Sequence, residues 1–140
     1  MNRRNFIRLS TMSAAAGIIA PSTVLAGSSK IMTSGAAGGI FYTKDAPGRW
    51  SKKIGGHLPH IETSGNKIEV ITKHSMSDYE HYIVKHMILD KDFNFLDEKM
   101  FKPGKGIAAI SSHEFKNYRG QIHVLSVCNK HDTWLNIAEV

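Results

Sequence analysis

The stretch QIHVLSVCNKHDTW, residues 121–134, joins an apolar strand pattern to a pair of metal-binding side chains. Residues 121–127 are predicted as a β-strand that delivers Cys128, the only cysteine of the chain, to a turn. Cys128 therefore forms no intramolecular disulfide, and together with His131 it can bind one metal ion. A C-x-x-H pair lacks the second half of a zinc-finger pattern, so it becomes informative only if further ligands converge on it.

The rest of the chain also has the periodicity of strands. Residues 67–74 alternate polar and β-branched side chains, and further apolar runs follow at intervals of about ten residues. These runs, which are separated by turn signals, lie at residues 81–89, 93–101, 107–112, 121–127 and 134–140. The pattern predicts an all-β sandwich or barrel. Residues 55–60 are predicted as a loop, and residues 78–89 also allow a partial helical period as an alternative.

The first 26 residues have the order of an export signal. Arg3 and Arg4 precede an apolar pair, a mildly hydrophobic stretch follows at residues 11–20, and VLA at residues 24–26 offers a small-residue cleavage site. The paired arginines indicate the twin-arginine route, which exports folded proteins, and therefore a periplasmic location with no membrane attachment after cleavage. The alternative is an amphipathic N-terminal helix with two incidental arginines.

Removal of residues 1–26 leaves 114 residues, enough for one domain with a single core. Residues 27–39, rich in Ser, Gly and Ala, are predicted as a flexible lead-in, and residues 40–140 as the domain. The signal contains three arginines and no acidic residue, so the net charge falls from +6 to +3. No basic stripe interleaved with aromatic residues is present, which argues against nucleic acid as a partner. The modest positive charge favours a small anionic substrate.

The histidines are numerous, and half of them fall at turns or strand ends. The four at connections, together with the cysteine, are His57, His74, His81, His131 and Cys128. Loops gathered at one end of a sandwich can bring together ligands from distant sequence positions. The remaining histidines are interpreted as ordinary surface or hydrogen-bonded residues, with His60 as a rival ligand to His57. They are His60, His86, His113 and His123.

Four sequence blocks carry these five residues in the order found in one known family. The blocks are His57-Leu58-Pro59, His74-Ser75-Met76, His81-Tyr82-Ile83 and the segment CNKHDTW at residues 128–134. This set resembles the iron centre of superoxide reductases, the neelaredoxin and desulfoferrodoxin family, and the similarity extends from about Phe41 to the C-terminus. No C-x-x-C pair is present, so the chain resembles the one-iron class that lacks a rubredoxin-like centre.

The resemblance implies an immunoglobulin-like β-sandwich of about seven strands that holds one mononuclear non-haem iron. By matching positions, its ligands would be four equatorial histidines and an axial thiolate: His57, His74, His81, His131 and Cys128. The implied activity is superoxide reduction to hydrogen peroxide, with electrons from an external one-electron donor protein, as a defence against oxidative stress. Five ligands and an open sixth position suit a redox-active iron better than the closed tetrahedron of structural zinc.

The sequence departs from the family pattern immediately before the first histidine. Gly55 and Gly56 stand where the family commonly has Glu-Lys. The glutamate would cap the oxidised iron and the lysine would raise the local positive potential, and glycine can do neither. Lys52 and Lys53 are candidates to replace the missing cation.

Two smaller departures lie elsewhere. His74 and His81 are seven residues apart, one more than in most relatives, which an irregular connection tolerates. Asp132 stands where the family usually has glycine, with consequences for loop geometry or local charge.

Other functions are open beside superoxide reduction. One is dismutation of superoxide at the same iron. Another is a non-catalytic role, in which the sandwich binds iron or carries electrons, and the missing Glu-Lys pair keeps it open. A homo-oligomer is compatible with the sequence.

Overall fold

The computed structural model describes residues 30–140, and the predicted signal with residues 27–29 lies outside the described part. Within residues 30–140, a 3₁₀ turn at Gly48–Trp50 and the one-turn helix α1 (Ile54–His57) precede seven strands. The strands are β1 (His60–Ser64), β2 (Lys67–Thr72), β3 (Ile83–Leu89), β4 (Phe95–Met100), β5 (Ala109–Glu114), β6 (Gln121–Cys128) and β7 (Asp132–Glu139). No helix in this part of the chain is long and apolar enough to cross a membrane.

The strands form two antiparallel sheets that pack face to face. One sheet has the order β1-β2-β5 and the other has the order β4-β3-β6-β7. The chain crosses between the sheets after β2, after β4 and after β5, while β6 and β7 form a hairpin that ends in the Cys128↔Asp132 pair. The predicted immunoglobulin-like sandwich of about seven strands is thereby confirmed. The helical alternative for residues 78–89 is not realised, because Ile83–Leu89 is a strand paired on both sides.

The prediction of a loop at residues 55–60 is wrong. The first half of this segment is α1, and His60 begins β1, a strand that the sequence analysis did not identify. β1 is hard to recognise because four of its five residues are exposed, so it shows no apolar alternation. The helix is equally hard to predict from the sequence, because it is a single turn and contains two glycines, which disfavour helix formation.

The core consists of two apolar clusters, one toward each end of the sandwich. The first, which we call the far cluster, comprises Ile68, Val70, Ile88, Phe115, Ile122 and Val124. The second, the near cluster, comprises Met76, Ile83, Phe101, Ala109 and Cys128. Two strands contribute to both clusters: β3 through Ile83 and Ile88, and β6 through Cys128 and Val124.

A layer of buried polar side chains separates the two clusters. It is formed by Thr72, His86, Ser111, His113 and Ser126, each at most 5% exposed. On β6, for example, Ser126 lies between Val124 of the far cluster and Cys128 of the near cluster. All of these polar atoms are hydrogen-bonded, and no buried side-chain nitrogen or oxygen among residues 30–140 lacks a partner.

The segment before α1 packs along β7. Residues 31–140 form one compact unit, and Met32 is 8% exposed. The hydroxyl of Thr43 donates to the carbonyl of Met32 at 2.6 Å. Tyr42 donates its backbone N–H to Thr133 and accepts one from Leu135, so the segment adds a short parallel bridge beside β7.

Candidate metal centre

Four histidines and one cysteine converge at one end of the sandwich. His57 ends α1, His74 follows β2, His81 precedes β3, Cys128 ends β6 and His131 lies in the turn before β7. β3 and β6 are antiparallel neighbours, so the start of β3 and the β6–β7 turn lie at the same end of their sheet, and the loop after β2 leads to this end. One potential ligand atom from each residue lies within 4.8 Å of all the others. The structure thus brings together all five residues that the sequence analysis singled out.

The ring nitrogens that face the centre are nearly equally spaced, in the order His74, His81, His131 and His57. The three successive distances correspond to three edges of a square. His74 Nε2 lies 3.1 Å from His81 Nε2, which lies 2.9 Å from His131 Nδ1. His131 Nδ1 in turn lies 3.0 Å from His57 Nε2. Successive rings are inclined at 68–88°, whereas the opposite rings of His57 and His81 are 6.0 Å apart and inclined at 27°.

These distances can be compared with those expected for two coordination geometries. With metal–nitrogen bonds of about 2.0–2.1 Å, ligands at right angles have nitrogens about 2.9 Å apart, and tetrahedral ligands about 3.3 Å apart. The observed edges of 2.9–3.1 Å match the right-angled arrangement. The donor set therefore fits a square of nitrogens better than the closed tetrahedron of a structural zinc site.

Cys128 supplies the sulfur of the cluster. Its Sγ lies 3.7 Å from His131 Nδ1 and accepts the backbone N–H of Lys130 at 3.5 Å. The residue is a free thiol and is 3% exposed. A buried cysteine beside four imidazoles is suited to bind a metal as a thiolate, whose charge the metal neutralises.

Backbone carbonyls orient two of the histidines. His57 Nδ1 lies 2.9 Å from the carbonyl of Lys53, and His74 Nδ1 contacts the carbonyl of Ser75. A carbonyl only accepts, so each Nδ1 carries the proton and each Nε2 lone pair is free to face the cluster. The one-turn helix α1 thus has a specific role, because it places the Lys53 carbonyl behind the His57 ring.

Three of the imidazoles, those of His57, His81 and His131, have a lowered pKa, which favours the neutral form that metal binding needs. Burial lowers the pKa of His57 to about 4, with smaller contributions from His74, His131 and His81, although the Lys53 carbonyl opposes the shift. Burial also lowers the pKa of His81, and the nearby His74 adds to this. The pKa of His131 is lowered first by burial and next by the charge of Lys53. Neutral imidazoles present lone pairs at neutral pH.

Asn129 links the two loops that carry ligands. Its side-chain amide donates to the carbonyls of Tyr79 and Glu80, at 3.2 Å and 3.0 Å, and its side-chain oxygen accepts the N–H of Tyr82 at 3.0 Å. Its backbone N–H also donates to the Tyr82 carbonyl. The loop before His81 is thereby fixed to the turn after Cys128. The sequence analysis did not assign this role, although the position of Asn129 directly after the cysteine was the available signal.

The structure also places the two candidate lysines and the histidines outside the cluster. Lys53 lies close enough for its charge to act on His131 and His81, whereas Lys52 is not among the groups that perturb them within the described chain. His60, the rival ligand, is exposed and lies 3.5 Å from Glu62 instead of joining the cluster. The remaining histidines, His86, His113 and His123, are buried in the sandwich and hydrogen-bonded there.

The fold and the donor set together define a β-sandwich protein with a candidate mononuclear metal centre. No protein-family model matches the chain, and no curated protein is significantly similar to it. Solved structures do match its fold. Superoxide reductase (neelaredoxin) from Ignicoccus hospitalis is 24% identical, with 74% of this chain and 95% of that chain covered and a TM-score of 0.58.

Two further structures are similar at slightly lower scores. The superoxide reductase (1Fe-SOR) from Giardia intestinalis is 22% identical, with 61% of this chain and 98% of that chain covered and a TM-score of 0.51. A variant of superoxide reductase (neelaredoxin) from Archaeoglobus fulgidus, in the reduced form, is 20% identical, with 64% and 91% covered and a TM-score of 0.51. At these identities the likeness shows the fold.

Proposed function

We propose that this protein is a superoxide reductase of the one-iron class, with iron held by His57, His74, His81, His131 and Cys128. The square of imidazole nitrogens with a buried thiol beside it is the observation that carries the proposal. The fold likeness to three superoxide reductases supports it. Iron bound there would supply the redox chemistry, in which superoxide takes up one electron and two protons to give hydrogen peroxide.

The charge of the donor set favours an anionic substrate. Four neutral imidazoles add no charge, and one thiolate cancels only part of the charge of a divalent ion. The exposed Lys53 adds a positive charge whose effect reaches His131 and His81, and Lys130 adds a second that reaches both. A small anion is therefore drawn toward this end of the sandwich.

The proposed reaction also needs an electron donor. The sequence has a single cysteine and no C-x-x-C pair that could hold a second iron centre. We therefore propose an external one-electron donor protein, which restores the reduced site after each turnover.

We also propose that the protein is exported by the twin-arginine route and acts in the periplasm. The proposal rests on Arg3 and Arg4, the following apolar stretch and the cleavage motif at residues 24–26. N-terminal sequencing of the mature protein from a periplasmic fraction should begin at Gly27. Retention of uncleaved protein in the cytosol with intact signal residues would contradict it.

The reaction is tested by counting hydrogen peroxide against superoxide in the presence of a reductant. We expect one hydrogen peroxide for each superoxide consumed by the iron-loaded protein. Half that yield, independent of the reductant, would instead identify a dismutase. No peroxide above background would identify an iron-binding or electron-carrying domain, and would overturn the proposed function.

The role of Cys128 as a metal ligand is tested by the absorption spectrum of oxidised, iron-loaded protein. We expect a thiolate-to-iron charge-transfer band that is lost in Cys128→Ser. The serine variant keeps the size of the side chain, so a loss of the band reports ligation rather than unfolding. Bound iron without this band in the unmodified protein would contradict the proposed ligand set.

A further inference from the structure

Asp132 has a backbone conformation that glycine usually provides. It follows His131 directly and has φ +65°, in the left-handed region. Asp and Asn are the non-glycine residues that tolerate this region best, because their short side chains can hydrogen-bond locally. Asp132 therefore suits a turn position where the family usually has glycine, and it adds a side chain beside a candidate ligand.

The side chain of Asp132 holds the segment around Trp50. Its Oδ2 accepts a hydrogen bond from Arg49 Nη2 at 2.7 Å and another from Trp50 Nε1 at 2.8 Å. Arg49 also donates from Nε to the Tyr42 hydroxyl at 3.3 Å, and its guanidinium lies 4.5 Å from the Trp50 ring centre. These two donors, Trp50 first, lower the pKa of Asp132 and keep it ionised.

Trp50 in turn contacts the ring of His131. The two ring centres are 4.6 Å apart and the rings meet edge to face at 84°. His57 and His74 each have a backbone carbonyl at the outer nitrogen. His131 uses Nδ1 toward the cluster, and within residues 30–140 its Nε2 has no hydrogen-bond partner. Packing against Trp50 is thus the contact available to fix this ring.

We propose that Asp132 is a positioning residue that acts through Trp50, holding the indole against His131 and so fixing this imidazole in its orientation toward the metal. In this clamp, meaning Asp132 with Arg49 and Trp50, the indole meets the His131 ring edge to face. Its consequence for superoxide chemistry rests on the proposed function, but the clamp itself is a property of the folded chain. It connects two segments 82 residues apart in the sequence.

The clamp is tested with Asp132→Gly and Asp132→Asn. Glycine takes φ +65° without strain and removes the carboxylate, so the turn is preserved while the clamp is lost. Asparagine also tolerates this conformation and keeps an oxygen that can accept the Trp50 N–H, but it has no charge. Asp92→Asn removes the charge of an exposed carboxylate that pairs with Lys91 in the β3–β4 turn, and serves as the control.

The first readout uses metal-free protein and needs no activity. The chain has two tryptophans, and Trp50→Phe assigns their indole N–H signals in a ¹⁵N spectrum. We expect the Trp50 signal to shift and its exchange with water to accelerate in Asp132→Gly, with little change in Asp132→Asn or the control. An unchanged Trp50 signal in Asp132→Gly would overturn the clamp.

The second readout is iron release to a chelator. Groups that orient a ligand typically change metal affinity by about 10–100-fold, so we expect release from Asp132→Gly to be faster by about tenfold or more. Asp132→Asn and the control should stay within about threefold of the original rate. Equal acceleration in the glycine and asparagine variants would show that charge alone matters, and would overturn the proposal. Absence of superoxide reductase activity in the unmodified protein would refute the proposed function while leaving both readouts of the clamp intact.

Discussion

His86 Nδ1 lies 2.7 Å from the Oγ of Ser111, and this contact joins the two sheets in the middle of the core. The contact belongs to a longer chain of hydrogen bonds. Ser111 Oγ lies 2.8 Å from His113 Nε2, and His113 Nδ1 lies 2.7 Å from the carboxylate of Asp97 at the surface. On the other side of His86, Nε2 lies 2.9 Å from the hydroxyl of Thr72.

When both imidazoles are neutral, one arrangement of protons satisfies the chain. The Asp97 carboxylate only accepts, so His113 carries its proton on Nδ1 and accepts from Ser111 on Nε2. Ser111 then accepts from His86 Nδ1, and His86 Nε2 accepts from the Thr72 hydroxyl. Every donor therefore points toward Asp97, and a single surface carboxylate sets the tautomer of two buried histidines.

The first prediction concerns His86 and acid. Burial, with a contribution from His113, lowers the pKa of His86 from 6.5 to about 4. Between these pH values the unfolded chain binds a proton that the folded chain does not, so stability is full above pH 6.5 and falls as the pH drops toward 4. The loss from this one residue is up to about 3 kcal/mol. Urea unfolding of metal-free protein at several pH values measures it.

The lowered pKa values of His57, His81 and His131 contribute to the same pH dependence, so a variant isolates His86. We expect His86→Gln to be less stable at neutral pH and to show a shallower decline on acidification. His60→Gln, at an exposed position, should keep the full slope. A slope unchanged by His86→Gln would mean that this imidazole is not kept neutral by the core.

The second prediction concerns Asn129, which connects the loop before His81 to the turn after Cys128. Asn129→Ala removes three side-chain hydrogen bonds, and we expect a loss of about 1–2 kcal/mol in unfolding free energy. Iron affinity should also fall, by about tenfold, because two ligand-bearing loops are released from each other. Competition with a chelator measures the affinity.

Asn94→Ala is the matched control for this variant. Asn94 makes a comparable side-chain bond to Asp90 in the β3–β4 turn, away from the ligands. It should alter stability without altering iron affinity. Equal losses of affinity in the two variants would contradict a specific role for Asn129.

The third prediction distinguishes the two candidate lysines. Burial, and next the charge of Lys53, lower the pKa of His131, and Lys52 is not among the groups that contribute most. Lys53→Ala should slow the reaction with superoxide by roughly two- to tenfold at low salt, and less at high salt. The backbone carbonyl that orients His57 is kept in this variant. Lys52→Ala, measured by the same pulse kinetics, should react at the original rate, and an equal rate for both variants would remove Lys53 as the replacement cation.

The fourth prediction concerns Gly55, which stands where the resemblance implies glutamate. A Cβ added at this position meets no atom within 4 Å, and Gly55 lines an open pocket of about 220 Å³ that none of the five candidate ligands lines. Gly55→Glu should therefore fold, with a gain of up to about 1 kcal/mol from replacing glycine in α1. If a glutamate at this position binds the oxidised iron, as the resemblance implies, the visible spectrum of oxidised, iron-loaded protein should shift. Gly55→Gln has the same length without charge, and an identical spectrum in both variants would argue against carboxylate binding.

The strands that could be predicted from the sequence are those with a regular inward face. Residues 67–72 alternate buried and exposed positions almost throughout, and residues 121–128 are apolar enough to be recognised as an inner strand. β1 could not be predicted in the same way, since its side chains are mostly exposed and its place depends on pairing with β2.

In the candidate site, too, some features could be predicted from the sequence and others could not. The four histidines and Cys128 were identifiable because their sequence blocks follow a known order. The contacts that orient them were not, since the Lys53 carbonyl acts through the backbone and the Asp132–Trp50 bond joins distant segments. His86 and His113 were interpreted as ordinary histidines because nothing in their local sequence reveals a hydrogen bond across two sheets.

The polar layer also divides the molecule for the purposes of protein engineering. The far cluster is separated from Cys128 by a band of hydrogen-bonded side chains, so its packing is decoupled from the ligand geometry. Volume-conserving exchanges among Ile68, Val70, Ile88 and Val124 should tune thermal stability while the spectrum of the centre stays constant. The near cluster has no such freedom, because Cys128 is itself a member. Stability can therefore be changed through the far cluster, whereas substitutions in the near cluster also affect the candidate metal centre.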